Sequence, residues 1–101
     1  MRLTEEQQLL RDAVRVLADD KIAPRAAEID RTATWPEDVR ALLAAHDIFA
    51  IPFDERHGGL GSDLLTLALA IEQISRVCAT SGLILAVQAL GAIPIQVAGT
   101  P

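Results

Sequence analysis

Cysteine is almost absent from this sequence of 101 residues, which contains only Cys78. One thiol cannot form an internal disulfide, and it cannot build a zinc cluster of several cysteines. The two histidines, His46 and His57, have no carboxylate at a matching spacing, so we expect no metal site. We interpret Cys78 as a small buried apolar residue in a chain that fits a reducing cytosol.

Positive charge is also scarce, with nine Lys and Arg against fourteen Asp and Glu and a net charge of -5. Such a chain has no basic patch to neutralise phosphates, which argues against nucleic acid as the main partner and against an anionic membrane surface. The N-terminal segment has acids but no apolar core, so neither a secretory signal nor a transit peptide is predicted. We expect a cytoplasmic protein.

Two helices are predicted in the charged part of the chain. A capping-box pattern opens an amphipathic helix from Thr4 to Ile22. Pro24 lacks a backbone donor and is expected to stop or kink this helix, with a short continuation to Ile29 and a polar turn over residues 30–34. A proline suits the first position of a helix, which predicts a second helix from Pro36 to His46.

Charge nearly disappears after residue 63, where the only charged residues are Glu72 and Arg76. Apolar residues fill this part at helical spacing and predict a third helix from about Asp63 to Val77 and a fourth from about Thr80 to Ala98. Gly99 is expected just beyond the end of the fourth helix, as its C′ residue. Both helices are apolar on nearly every side.

A loop is predicted between the two halves, over residues 47–62, because Pro52 and the glycines near residue 60 prevent regular helix. Ser62 is then a suitable N-cap for the third helix. These patterns predict a single all-α domain over residues 1–101, built as an up-and-down bundle of four main helices with the first helix kinked near Pro24.

Four short helices cannot cover a helix that is apolar all round, so the fourth helix is expected to bury a face against something outside this chain. A membrane is the rival explanation, because this helix is about the minimum length for a bilayer span. Gln88, Pro94 and Gln96 weigh against that explanation, as does the lack of flanking positive charge. We therefore expect no membrane span and a protein partner.

Several motifs follow one another along the chain. They are the opening helix L-T-E-E-Q-Q-L-L-R-D, the break I-A-P-R-A-A-E-I-D, then W-P-E-D, the loop I-P-F-D-E-R-H-G-G-L-G-S-D, the helix A-L-A-I-E-Q-I-S-R and the segment L-G-A-I-P-I-Q-V-A-G-T-P. In this order and at these spacings, the set resembles the N-terminal helical domain of acyl-CoA dehydrogenases. The resemblance covers essentially the whole chain.

That resemblance implies a three-part enzyme whose middle β-domain and C-terminal helical domain are absent from these 101 residues. In the family those domains and a neighbouring subunit hold most of the flavin adenine dinucleotide (FAD), and a C-terminal glutamate is the base. The implied oxidoreductase, of fatty acid metabolism, converts an acyl-CoA to a trans-2-enoyl-CoA, and this chain alone is expected to be inactive. The resemblance further implies a homo-oligomer, as a dimer or tetramer, with electron-transfer flavoprotein as a candidate acceptor.

The resemblance also implies that the fourth helix lines part of the acyl-chain cavity, and the residues carried over by position are Gly82, Leu83, Ala86 and Leu90. Their spacing is that of a single helical stripe. Small residues at 82 and 86 would leave the cavity floor open to a longer or branched acyl group. The alternative is that all four are plain core residues. No catalytic residue is expected, because Glu72 matches a helix-three glutamate with a structural role in an ion pair or cap.

Three other residues receive structural interpretations. Trp35 is expected to be a packing anchor, since its ring is the largest apolar group in a polar segment. His57 is expected to pack its ring in the glycine loop. Asp47 stands where the family commonly has a helix-ending glycine, which is tolerable because Asp adopts left-handed angles more readily than most residues.

Two other functions compete with that of an enzyme's N-terminal domain. One is a non-catalytic interaction subunit that pairs with a separate flavin-bearing dehydrogenase chain through its apolar third and fourth helices. The other is a free-standing helical bundle that shares the pattern and not the role. The sequence leaves open the acyl substrate, the electron acceptor and the choice between dehydrogenase and oxidase.

Overall fold

The computed structural model describes residues 3–53 and 55–99, and these residues form helices and turns without a strand. The α-helices are α1 (Glu5–Leu17), α2 (Ala23–Thr32), α3 (Glu37–Ala45), α4 (Leu64–Val77) and α5 (Ala79–Ala98). A π-helical turn, Ala18–Ile22, joins α1 to α2 in one helical run. Counting that run once, the predicted all-α fold with four main helices is confirmed.

Pro24 does not stop the first helical run, which continues to Thr32. The π turn explains the difference. Ala23 donates its N–H to the carbonyl of Ala18, five residues back, so the widened turn ends where the proline ring and its missing donor must be accommodated. The run ends at Ala33, whose φ of 52° and ψ of 30° are left-handed, so the turn begins later than predicted.

The loop after α3 is held by its own backbone. Asp47 takes a φ of 58°, which confirms that it accepts the left-handed conformation. Beyond a 3-10 turn at Ile48–Ala50, the N–H groups of Leu60 and Gly61 donate to the carbonyls of Ala50 and Phe53 at 2.9 and 2.8 Å. These bonds fold the glycine-containing end of the loop back onto its start.

The N-cap of α4 is Asp63, and the prediction of Ser62 is wrong. The Asp63 carboxylate accepts hydrogen bonds from the backbone N–H and the hydroxyl of Thr66, at 2.9 and 2.8 Å. Ser62 belongs to the loop instead, because its N–H donates to the Ile51 carbonyl at 2.9 Å. At the far end, α5 ends at Ala98 as predicted, and Gly99 follows it in an extended C-cap conformation, with a φ of -79° and a ψ of 170°.

The core lies on both sides of α4, which packs against α1 on one side and α5 on the other, while α3 closes against α5. Its largest fully buried side chains are Ile22, Leu43, Ile51, Ile74 and Leu85. The predicted burial of Cys78 is confirmed. Cys78 is the single residue between α4 and α5, and it accepts a hydrogen bond from the Ser81 hydroxyl at its sulfur, 3.1 Å away.

Much of α5 is left uncovered. By length and composition alone this helix of 20 residues could cross a membrane, with a mean hydropathy of 1.7. One such helix is a weak indication, because core helices of soluble proteins pass the same test. The uncovered side matters here because it carries the residues expected to meet an acyl group.

Candidate functional site on the last helix

Three of the four predicted site residues share one side of α5. Leu83 and Leu90 are 60% and 74% exposed, and Ala86 is half-buried between them. Val87, 53% exposed, continues the same side four residues after Leu83. We call Leu83, Ala86, Val87 and Leu90 the outer face of α5. It is a row of branched apolar side chains with one small residue among them.

Gly82, the fourth predicted residue, is buried against α4. A methyl group added at Gly82 would lie 1.9 Å from the hydroxyl oxygen of Ser75, so the glycine lets the two helices approach closely. Its small size is therefore used by helix packing, and of the two small residues only Ala86 is left to form a recess in the outer face.

A groove of about 440 Å³ opens beside the outer face. Leu83 and Val87 form part of one wall, and the other walls come from α3 and the loop around it. The remaining lining residues are Trp35, Arg40, Phe49, Thr80, Ile84 and Gln88. Trp35 is 59% exposed at the edge of this groove, so its prediction as a packing anchor is wrong. The groove is mainly apolar and open to solvent.

The edge of the groove carries one compact set of charges. Glu37 accepts a hydrogen bond from the Nε of Arg40 at 2.7 Å and another from the indole N–H of Trp35 at 2.9 Å. The bond from Arg40 is the main cause, and that from Trp35 the second, of a lowered pKa of the Glu37 carboxyl. The only cation lining the groove is therefore already paired with an anion.

A second groove, of about 330 Å³, lies along α1. It is lined mainly by apolar residues of α1, with Ile48 from the loop, and Asp20, Lys21 and His46 add polar groups. His46 is exposed at the end of α3. The side chain of His57 lies outside the described part of the structure.

The site offers shape and apolar contact and no acid–base chemistry. Helix α5 contains no ionisable side chain. Glu72 is exposed, takes a 3.5 Å contact from the Gln73 amide, and joins none of the ion pairs of the described residues, so its predicted ion pair is not found. The ion pair on α4, the helix of Glu72, is formed instead by Arg76 with Asp19, at 2.6 Å. Among the described residues no cluster of three metal-binding side chains occurs.

The N-termini of α1, α3 and α4 do not suit the diphosphate of FAD. Helix N-termini bind phosphate through free N–H groups and a positive dipole end. The N-termini of α1, α3 and α4 instead carry the carboxylates of Glu5, Glu37 and Asp63, which repel an anion. A flavin bound near this domain would need other groups than these three N-termini to hold its phosphates.

The sequence reasoning missed Val87, Arg40 and Glu37. Val87 could have been found, because it lies four residues after Leu83 on the same helical stripe. The other two could not, since their approach to α5 depends on how the loop brings α3 against that helix.

Comparison with known proteins shows which family this helical domain resembles. Residues 4–101 match the family model described as acyl-CoA dehydrogenase, N-terminal domain. A short-chain-specific acyl-CoA dehydrogenase of Clostridium acetobutylicum is 41% identical over 83 residues, which are 82% of this chain and 22% of the relative. Cyclohex-1-ene-1-carbonyl-CoA dehydrogenases of Syntrophus aciditrophicus and Geobacter metallireducens are each 42% identical over 99 residues, which are 98% of this chain and 24% and 26% of the relatives. The chain thus spans about a quarter of the length of these relatives.

Proposed function

Because this chain belongs to the acyl-CoA dehydrogenase family, as an N-terminal domain, we propose that it is the first helical domain of an FAD-dependent enzyme. That enzyme oxidises an acyl-CoA to a trans-2-enoyl-CoA in the breakdown of fatty or related acyl groups. The relatives, dehydrogenases about four times as long, support this proposal.

The observation that carries the proposal is the uncovered outer face of α5. Leu83 and Leu90 expose most of their apolar surface, on the helix whose family counterpart meets the acyl group. Exposed apolar surface of this extent is unfavourable in water and marks a face that is covered in the working molecule. An acyl chain together with further protein layers would cover it.

The three domains would have different roles in this enzyme. In our proposal residues 1–101 supply the helical layer, and a middle β-domain and a C-terminal helical domain supply the base and most FAD contacts. FAD would accept the hydride that leaves the substrate carbon chain. Alone, the domain would be inactive, because no described residue is placed as a base within the apolar site.

The substrate-binding residues in this proposal are Leu83, Ala86 and Leu90, which would contact the acyl group directly. Gly82 would act on the same wall indirectly, by setting how closely α5 lies against α4. We further propose a cytoplasmic homo-oligomer, a dimer or tetramer as in the family, that passes electrons to an electron-transfer flavoprotein.

The test joins the full chain to the part of the Clostridium acetobutylicum relative that follows its matched segment. We expect this joined enzyme to bind flavin and to reduce an electron-accepting dye when given an acyl-CoA, while the 101-residue chain alone does neither. A folded joined enzyme with bound flavin that oxidises no acyl-CoA would refute the proposal.

A non-catalytic interaction subunit is the second candidate, and the same uncovered face of α5 favours it. This subunit would complete a dehydrogenase supplied by another gene. The reading frame after Pro101 separates the two candidates, because continuation into a β-rich segment supports the first. A stop codon together with co-purification of a yellow, flavin-loaded chain would support the second.

A further inference from the structure

We propose that Ser75 of α4 is a positioning residue for the acyl site. Its contact with Gly82 sets how far α5 stands from α4, and thereby the width of the space beside the outer face. This inference rests on the proposed function and deepens it, by naming a residue of another helix that controls acyl selection. The property that it controls is the breadth of the acyl group, a branched chain against a straight chain of equal carbon number.

Ser75 and Gly82 lie on either side of the junction between α4 and α5. Because Cys78 alone separates the two helices, the side chain of Ser75 comes against the first turn of α5. A Cβ atom placed on Gly82 would lie 1.9, 2.9 and 3.1 Å from the Oγ, Cβ and Cα of Ser75. The hydroxyl can rotate away, whereas the Cβ and Cα can yield only if a helix shifts. Ser75 therefore acts as the spacer between the two helices at this point.

The spacer contact and the outer face lie on different sides of α5. Gly82, Leu85 and Ala89 are buried on the side that packs within the domain. Leu83 and Leu90 on the outer face are 60% and 74% exposed. A displacement of α5 away from α4 therefore moves the outer face into the space that it borders, and a displacement toward α4 withdraws it. The width of that space thus depends on a contact that the acyl group does not make.

A displacement at the start of α5 reaches the outer face directly. The helix is continuous from Ala79 to Ala98, and the outer face begins at Leu83, one residue after Gly82. Because packed interiors are stiff and transmit strain, an added atom at this contact is answered by movement of the helix rather than by local compression. Ser75 itself is exposed, so it can be replaced without opening a cavity in the core. That exposure makes the contact testable from the α4 side.

The experiment uses the flavin-loaded joined enzyme described above and two six-carbon acyl-CoA thioesters, one straight and one branched at the fourth carbon. We expect Gly82→Ala to lower kcat/KM for the branched thioester relative to the straight one by about tenfold, mainly through a higher KM, since the space for one methyl group is lost.

Adding Ser75→Gly to Gly82→Ala removes the spacer and should return this ratio to within about threefold of the wild type, because the two residues are in contact and their effects couple. Ser75→Ala alone shortens the spacer and should shift the ratio toward the branched thioester by at least about twofold. A purely structural contact would change flavin content or stability and leave the ratio of the two substrates unchanged.

Gly91→Ala is the matched control, because it makes the same change on the same helix where a methyl group would meet nothing within 4 Å. It should leave the ratio unchanged. A wild-type ratio in Gly82→Ala would overturn this inference and leave the proposed function standing, as would a lowered ratio that Ser75→Gly does not restore or that Gly91→Ala reproduces. If Gly82→Ala fails to fold with flavin, an unchanged ratio in Ser75→Ala would overturn the inference in the same way. A flavin-loaded joined enzyme of wild-type sequence that oxidises neither thioester would overturn both proposals.

Discussion

Gly82 of α5 packs closely against Ser75 of α4, and this contact makes a prediction about stability. In Gly82→Ala the added methyl would lie 1.9 Å from the Ser75 hydroxyl oxygen, which can rotate away, but also 2.9 and 3.1 Å from the Cβ and Cα of Ser75, so the helices must shift apart. We expect a loss of about 1–3 kcal/mol in the free energy of unfolding, typical of overpacking. Urea denaturation followed by circular dichroism measures it.

Gly91→Ala is the control for that change. Gly91 is on the same helix, and a methyl group there would meet nothing within 4 Å. Alanine has the higher helix propensity, so this variant should gain up to about 1 kcal/mol. Equal effects of the two alanines would show that the contact with Ser75 does not constrain the helices.

Ala86 makes a prediction about substrate choice. Replacing Ala86→Phe in the joined enzyme would fill the recess between Leu83 and Leu90 and shorten the space for an acyl chain. We expect the ratio of kcat/KM for long against short acyl-CoA thioesters to fall by roughly tenfold or more. An unchanged chain-length profile would place Ala86 outside the substrate cavity.

At the scale of single elements, the start of α4 has a pH dependence that can be worked out. Hydrogen bonds from the backbone N–H of Thr66, and next from its hydroxyl, lower the pKa of the Asp63 carboxyl below its ordinary value of 3.8. A carboxyl with a lower pKa in the folded chain stabilises the fold above its ordinary pKa. That contribution is lost as the pH falls through the lowered value.

We therefore expect Asp63→Ala to lower the thermal unfolding midpoint near neutral pH, with the difference from the wild type shrinking as the pH falls below 3.8. Asp63→Asn keeps a capping side chain without a charge, so its midpoint should change less and should lack this pH dependence. A difference between wild type and Asp63→Ala that stays constant down to low pH would contradict the assignment of Asp63 as the charged cap.

The helices themselves could be predicted from local pattern, because capping and apolar spacing are properties of neighbouring residues. The predicted α3 and α4 differ from the observed ones by about a residue at their ends. The π turn before Pro24 could not be foreseen, since a proline pattern alone does not distinguish a stop from a widened turn. The choice of Asp63 over Ser62 depended on a backbone bond from Ser62 to Ile51, which only the folded loop creates.

The candidate site was likewise only partly predictable from the sequence. The stripe of α5 follows from helical spacing, so Leu83, Ala86 and Leu90 could be grouped from the sequence. The inward direction of Gly82 and the exposure of Trp35 depend on which helices become neighbours, and a pattern within one helix does not encode that. The apolar pattern alone therefore grouped residues of α5 without showing which of them face α4 and which are exposed.

At the scale of the whole molecule, the uncovered apolar side of α5 should govern the behaviour of the purified chain. We expect the full chain alone to bind a dye specific for exposed apolar surface and to self-associate at high concentration. The double variant Leu83→Gln and Leu90→Gln should lose much of both properties, as fluorescence and light scattering would measure. Leu9→Gln, at an exposed position on α1, should have a smaller effect. A wild-type chain that remains monomeric and does not increase the fluorescence of the dye would contradict the need for a protein layer over α5.

Because only Cys78 separates α4 from α5, a small change in the angle between the two helices moves the far end of α5 by a larger distance. Its 20 residues give an arm of about 30 Å, at a rise of about 1.5 Å per residue. A tilt of α5 by about 5° at this junction would displace its C-terminal end by roughly 2–3 Å, given the same helix length. Substitutions next to Cys78 should therefore change which acyl-chain lengths the joined enzyme prefers, although their side chains do not contact the acyl group.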